Sequence, residues 1–325
     1  MRRRAFLRVS LASSAATIGL GALPRASAQD YPSRPIQLVV GFAPGGTTDF
    51  VARLVGEKMG DSLGQRFVVD NKPGAAGAIG TKSVARSDPD GYTLLLGDST
   101  LAITPTLSPS AGIDPLQMLA PVGLVGLFPS VLVVHPSVPA NNVAELVAYA
   151  KEHPGELNFG SGGLGAVPHL QGELFKLKTG TDIVHVPYKG NAAALQDLLG
   201  GNIQLMFAAA PTALAFIQSG QLKLLATTGK ERLPIGVDAP TLLESGIDFV
   251  SAQWFGMLAP TGTPEAIVNR LNEAMRQSLQ DPGVAKRLTE QGCLLRPGSP
   301  QDFAGFIAEE VKAWGEVVQA AKVTL

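Results

Sequence analysis

Apolar positions along the chain follow two alternating rhythms. Short unbroken runs rich in β-branched residues, such as Ile36-Gln37-Leu38-Val39-Val40, are bounded by proline and glycine. They predict strands buried in an α/β sheet. Between these runs the apolar residues recur at helical spacing. After the first run, Val51, Leu54, Val55 and Met59 share one face, which predicts a helix over 50–59. The same reading places strands at 66–70 and 92–97, with a helix up to 86 between them. Strand, helix, strand, helix, strand at this spacing predicts a parallel sheet, with its exit loops gathered at the carboxyl ends of the strands.

Further on, residues 105–121 are punctuated by proline and read as irregular. Strands are predicted at 130–136, 157–160, 182–187, 203–207 and 222–227. Helices are predicted at 143–151, capped by Asn141 or Asn142, and at 169–178 and 192–199. A strand at 254–260 then leads to helices at 264–279, 284–291 and 300–321. Thr263 is read as a cap for the first of these. The last carries Phe303, Phe306, Ile307, Val311 and Trp314 on one face. The chain leaves one α/β domain, builds a second and returns, so two connections form a hinge. The expected division is 29–128 plus 251–325 for one domain and 129–250 for the other.

The first 28 residues change the picture of compartment. Arg2, Arg3, Arg4 and Arg8 form a basic start, 11–23 is a short apolar stretch, and Ala26-Ser27-Ala28 is an A-x-A cleavage site. This predicts a signal peptide cleaved after Ala28 and export to the periplasm by the Tat or the Sec route. The leader holds five arginines and no acid. Its removal leaves 21 basic residues of the 26 against all 27 acidic ones, a net charge of −6. That balance opposes a nucleic-acid or anionic-membrane role. The single cysteine, Cys293, excludes an internal disulfide framework and reads as a buried, inert thiol.

Candidate chemistry gathers in the exit loops. The loop 41–49, Gly-Phe-Ala-Pro-Gly-Gly-Thr-Thr-Asp, joins the first strand to the first helix. Thr47 or Thr48 is placed to cap that helix, and Asp49 lies in its first turn. Free amides beside Gly45 and Gly46 form a site for an anion, one jaw of a carboxylate cleft; the other reading is an ordinary βα turn. Ser99 and Thr100 lie in the exit loop of the third strand. A second glycine-rich loop, Gly160-Ser161-Gly162-Gly163-Leu164-Gly165, formally fits the dinucleotide fingerprint G-x-G-x-x-G. The acid that such a site needs at the end of the next strand is missing, because Asp182 stands at the wrong end. Its glycine amides and the Ser161 hydroxyl suit a smaller anion. His169, beside this loop, either reaches the ligand or fixes local backbone. Tyr188 is an aromatic wall, a hydroxyl donor or hinge packing; Lys189 supplies charge or is solvated. Asp70 and Asp98 read as capping or turn acids. No serine elbow and no metal-ligand spacing is present, and no cofactor is expected.

Several motifs appear in one order: Tyr31-Pro32-Ser33-Arg34-Pro35-Ile36, Ala43-Pro44-Gly45-Gly46-Thr47-Thr48-Asp49, Asn71-Lys72-Pro73-Gly74-Ala75-Ala76-Gly77 and Pro89-Asp90-Gly91-Tyr92-Thr93-Leu94. They are followed by His185-Val186-Pro187-Tyr188-Lys189-Gly190, Asp197-Leu198-Leu199-Gly200-Gly201 and Trp254-Phe255-Gly256. In this register the chain resembles the Bug family, the extracytoplasmic solute-binding receptors of tripartite tricarboxylate transporters. The resemblance implies a periplasmic-binding-protein fold of two α/β domains with the ligand cleft between them, and no enzyme activity. It implies that the loop from Phe42 and Ala43 to Asp49 and the loop from Ser161 to Gly165 pinch a ligand carboxylate. The implied ligand is a small mono-, di- or tricarboxylate, aromatic acids included. The implied partner is a membrane transporter or sensor component, with the receptor a monomer. The alternative is a dinucleotide-cofactor enzyme using 160–165. Two departures from the family pattern stand out. Gly41 replaces a usual proline, which is expected to loosen the first jaw. Ala208 replaces a frequent aspartate, which disfavours an amino-acid ligand.

Overall fold

The computed structural model describes residues 31–233, 236 and 238–325, so the expected leader and its cleavage site lie outside the described residues. The chain begins with β1 (Ile36–Val40), α1 (Thr47–Leu63), β2 (Phe67–Asn71), α2 (Ala78–Ala85) and β3 (Thr93–Asp98). The strands lie in the order β2-β1-β3, all parallel, as the alternation predicts. β1 is almost wholly buried, which is why it reads as an unbroken apolar run.

Next come α3 (Thr100–Leu107), α4 (Pro115–Met118) and the 16-residue β4 (Leu119–Val134). The expectation of irregular chain over 105–121 is therefore corrected. Pro105 sits inside α3, and Pro115 takes the first position of α4, where its missing N–H costs no hydrogen bond. Pro121 sits where the β4 register shifts against its neighbour.

The chain continues with α5 (Val143–Glu152), β5 (Asn158–Ser161), α6 (Val167–Thr179), β6 (Val184–Pro187), α7 (Asn191–Leu199), β7 (Leu205–Ala209), α8 (Ala210–Gln218) and β8 (Lys223–Thr227). It closes with β9 (Ala252–Pro260), α9 (Glu265–Gln280), α10 (Pro282–Glu290), β10 (Leu294–Leu295) and α11 (Pro300–Ala320).

β4 is the shared strand. From Leu119 to Pro129 it pairs antiparallel with β9, which in turn pairs with β3. From Ser130 to Val134 it pairs instead with β7 on one side and β8 on the other. β5 then lies between β7 and β6, parallel to both. One sheet thus turns from its first half into its second at Pro129–Ser130. The period-2 alternation of the last β4 residues splits two cores. Val131 and Val133 enter a cluster with α7 and α8, while Leu132 and Val134 enter one with α5 and Phe175 of α6. α6 straddles the halves, since Val167 and Leu170 pack instead with Trp254 and the α11 face of Phe303, Ile307 and Trp314. Asn142 caps α5, as expected, but Thr263 does not cap α9: its hydroxyl donates to the Pro260 carbonyl.

Candidate functional site

At the turn of the sheet lies a cavity of about 70 Å³. Its floor is Phe128, Pro129 and Ser130 of β4, with Gln253 at the start of β9. Its walls are the first residues of four helices: Thr47 of α1, Val167 and Pro168 of α6, Asn191 of α7, and Ala210, Pro211 and Thr212 of α8, with Ala209 just before them. Gln291, at the end of α10, completes the rim. The volume exceeds the roughly 10–15 Å³ that one water needs.

These four helix starts share one property. The residues that precede α1, α6, α7 and α8 are Gly46, Ala166, Gly190 and Ala209, and none offers a side-chain cap. Elsewhere, Asp114, Asn142, Asp281 and Ser299 cap α4, α5, α10 and α11. Helices α2, α3 and α9 also lack side-chain caps, but none of them contributes to the cavity wall. An uncapped helix start holds amide hydrogens with no intrahelical acceptor and carries partial positive charge. Four such ends around one cavity form a cradle for anionic oxygens. None of the residues lining the cavity is Lys, Arg, Asp or Glu, so the positive potential there comes from amides and dipoles.

Of the residues singled out from the sequence, Thr47 is in the cavity wall, whereas Phe42 and Thr100 line a separate, smaller pocket with Gly41, Gly77 and Asp98. In the first loop, Ala43, Gly45 and Gly46 are exposed. Gly45 adopts φ +89°, and its amide donates to Asp49 Oδ2 at 3.1 Å. Thr48 and Asp49 are buried. The Asp49 carboxylate is held within the loop: Arg53 grips both carboxylate oxygens, and Asn71 donates at 3.0 Å while also holding the Phe42 carbonyl. The Arg53 hydrogen bond, then those from Gly45 and Asn71, hold the Asp49 carboxyl below the usual range despite its burial. Asp49 therefore shapes the loop whose amides lead into α1. Buried Ser99 accepts from the Trp254 amide at 2.9 Å, and Thr100 donates to Asp98 through both its amide and its hydroxyl. Burial raises the Asp98 carboxyl.

The second loop is held from within. The Ser161 hydroxyl donates to the Gly163 carbonyl at 3.0 Å and accepts from the Gly163 amide at 3.2 Å, so it is not a free donor. The Gly165 amide donates to His169 Nδ1 at 3.0 Å. A side chain at Gly162 would meet Asn191 Oδ1 at 2.6 Å, and one at Gly165 would strike Leu107. Gly162 and Gly165 therefore make room for Asn191 and Leu107 rather than for a pyrophosphate. Leu164 is exposed and His169 is buried. Tyr188 donates to Asp197 Oδ2 at 2.7 Å, and its phenol is pushed up to about 12 by burial and that carboxylate. Lys189 is exposed. Ala208 points into the apolar cluster with Val131 and Met206, so the cavity-side residue of that pair is Ala209. Cys293 is buried, its thiol pushed up to about 12 by that burial.

The sequence reading missed Phe128–Ser130, Val167, Pro168, Asn191, Ala209–Thr212, Gln253 and Gln291. A signal existed for two of these segments: Pro168 and Pro211 are prolines in a first helical turn, which marks α6 and α8 as starting earlier or existing at all. Nothing local marks Gln253 or Gln291, which arrive by tertiary folding.

A two-part α/β sheet with helix starts converging on a cavity at its turn is the architecture of a periplasmic solute-binding receptor. The chain belongs to the tripartite tricarboxylate transporter family of receptors (TctC): that family's model matches residues 51–323. It is 41% identical to BugT of Bordetella pertussis, over 94% of each chain. A Rhodopseudomonas palustris protein solved with adipate is 37% identical, covering 91% of this chain and 99% of its own, with a TM-score of 0.79. MatC from the same organism, solved with bound malate, is 34% identical over 89% of this chain and 100% of its own, with a TM-score of 0.76. Proteins of this family are periplasmic receptors, and no helix among the described residues is long and apolar enough to cross a membrane. Nothing in these relatives supports the dinucleotide-enzyme alternative.

Proposed function

We propose that this protein is an exported receptor that binds a small organic carboxylate in the cavity at the turn of the sheet and presents it to a membrane transporter or sensor. One observation carries the reading: four uncapped helix starts face one cavity whose lining has no acidic side chain. The relatives solved with adipate and malate support the same ligand class. No acid lines that wall, which leaves no partner there for an ammonium group, so the ligand is a non-amino acid of one to three carboxylates, aromatic acids included.

In this reading the receptor acts as a monomer without cofactor or turnover. Residues 29–128 with 251–325 form one domain and 129–250 the other, and they close on the ligand because only the closed state lets both halves donate to it. The leader is cleaved after Ala28. The test is a thermal-shift screen of the mature protein against malate, adipate, citrate, benzoate, glutamate and NAD. The expected result is a rise in Tm with one or more of the non-amino acids and none with NAD. Stabilisation by NAD alone, or by none of the carboxylates, overturns the reading.

A further inference from the structure

The second loop is closed by a pair of histidines that the receptor reading leaves without a role. His169 on α6 and His185 on β6 stack face to face, with ring centroids 3.8 Å apart and planes inclined by 21°. Phe159 of β5 packs on His185 at 4.8 Å. His169 is 4% exposed, so its contacts are fixed by packing. Its Nδ1 accepts the Gly165 amide hydrogen at 3.0 Å, which requires that nitrogen to be unprotonated. Ser161 Oγ and His185 Nε2 are hydrogen-bonded at 2.7 Å, which ties β5 to β6 beside the loop.

The Gly165–His169 bond closes a short ring of backbone, and the residues inside that ring include Val167 and Pro168, which form the cavity wall. We propose that His169, seated on His185, is the positioning residue of the second jaw: as a neutral acceptor it fixes the turn into α6, and with it the amides that meet the carboxylate. This rests on the carboxylate reading above. The charged groups that face the pair are on α6: Glu173, whose Oε1 lies 3.9 Å from His169 Nε2, and Lys176, which pairs with Glu173 at 3.0 Å. β5 presents Ser161 and Phe159, which carry no charge. Burial first, then Lys176, holds His169 down to about 4, so the acceptor form is maintained at neutral pH.

The experiment compares the mature wild type with His169→Leu and His169→Asn, whose amide oxygen can replace Nδ1 as acceptor. Imidazole nitrogen NMR of the wild type at pH 7 is expected to show His169 with Nδ1 unprotonated; an Nδ1–H form overturns the proposal. Amide exchange at Gly165 is expected to rise at least tenfold in H169L and to stay near wild type in H169N. Equal protection in all three overturns it. This arm needs no ligand, so it decides the loop claim even if the carboxylate reading fails. For binding, adipate and malate are the probes. An affinity at least tenfold weaker in H169L, restored in H169N, supports the proposal. Wild-type affinity in a folded H169L overturns it and leaves the receptor reading standing. If the wild type binds neither these acids nor any other of the screen, the receptor reading falls.

Discussion

Gly41 and Gly77 meet backbone to backbone: a Cβ at Gly41 would lie 2.8 Å from the Gly77 Cα. The contact is reciprocated one turn later, where a Cβ on Gly80 would lie 2.9 Å from the Gly41 Cα. The expectation that glycine at 41 loosens the first jaw is therefore corrected. Glycine is what lets the β1 exit loop seat against the start of α2. Gly41→Ala should force the loop away, since neither neighbour has a flexible side chain to yield. The expected cost is about 1–3 kcal/mol in urea unfolding, with weaker carboxylate binding. Gly305→Ala is the control: its Cβ meets nothing within 4 Å on the exposed side of α11, and it should gain about 0.5–1 kcal/mol.

Ala209 stands where a side-chain cap for α8 is missing. Ala209→Asp should supply one, and its carboxylate would then take the amides that the ligand uses. The ligand-free protein should gain about 0.5–1 kcal/mol, while acid binding falls by at least roughly tenfold through competition and like charge. Ala208→Asp, one residue earlier, should behave oppositely in stability. It places a carboxylate among Val131 and Met206, and a loss above about 3 kcal/mol is expected in the same unfolding assay. If both variants lost stability equally, the uncapped-end account would fail.

Ser299 separates capping from binding. Its hydroxyl accepts the Asp302 amide, and the Asp302 carboxylate accepts the Ser299 amide, a closed capping box at the start of α11. Ser299→Ala should cost about 1 kcal/mol and leave carboxylate affinity unchanged, measured by calorimetry.

Much of the first half was legible because its signals are local. β1, its glycine exit and α1 differ in period and in turn residues, so each border announces itself. Cys293 and the α11 face were legible for the same reason: apolar spacing predicts burial whatever the fold. The last five residues of β4 were legible within the strand expected at 130–136, but 119–129 was not, because prolines such as Pro121 and Pro129 suggest breaks. In the fold they sit at a register shift and at the last residue of the β9 pairing, places where a strand tolerates proline. α8 was missed because Ala-Ala-Ala-Pro reads as loop unless the proline is recognised as a first-turn residue. At the site, glycine-rich loops were correctly marked as special backbone, but not which amides they leave free. Gly45, Gly163 and Gly165 spend theirs on Asp49, Ser161 and His169, choices that depend on side chains brought from other positions.

The pH dependence of stability contains two opposed contributions that a single variant can separate. Burial lowers His169 and His185 to about 4 from an unfolded value near 6.5. Between those limits the unfolded chain binds more protons, so this pair makes stability rise with pH from 4 to 6.5. Glu310 works in reverse. Burial raises its carboxyl to about 7 from 4.5, although the Trp314 indole donates to it at 3.0 Å. Its stabilising effect is complete below pH 4.5 and is lost as pH rises through 7. Glu310→Gln keeps an acceptor for Trp314 and removes the titration. The difference in unfolding free energy between E310Q and wild type should therefore grow in favour of the variant from pH 4.5 to 7, by about 1–3 kcal/mol, and stay flat above pH 8. Urea unfolding at half-unit pH steps reads this directly, because every group other than Glu310 cancels in the difference. A difference independent of pH would mean that Glu310 titrates as it does in the unfolded chain, and that its half-buried place on α11 does not raise its carboxyl.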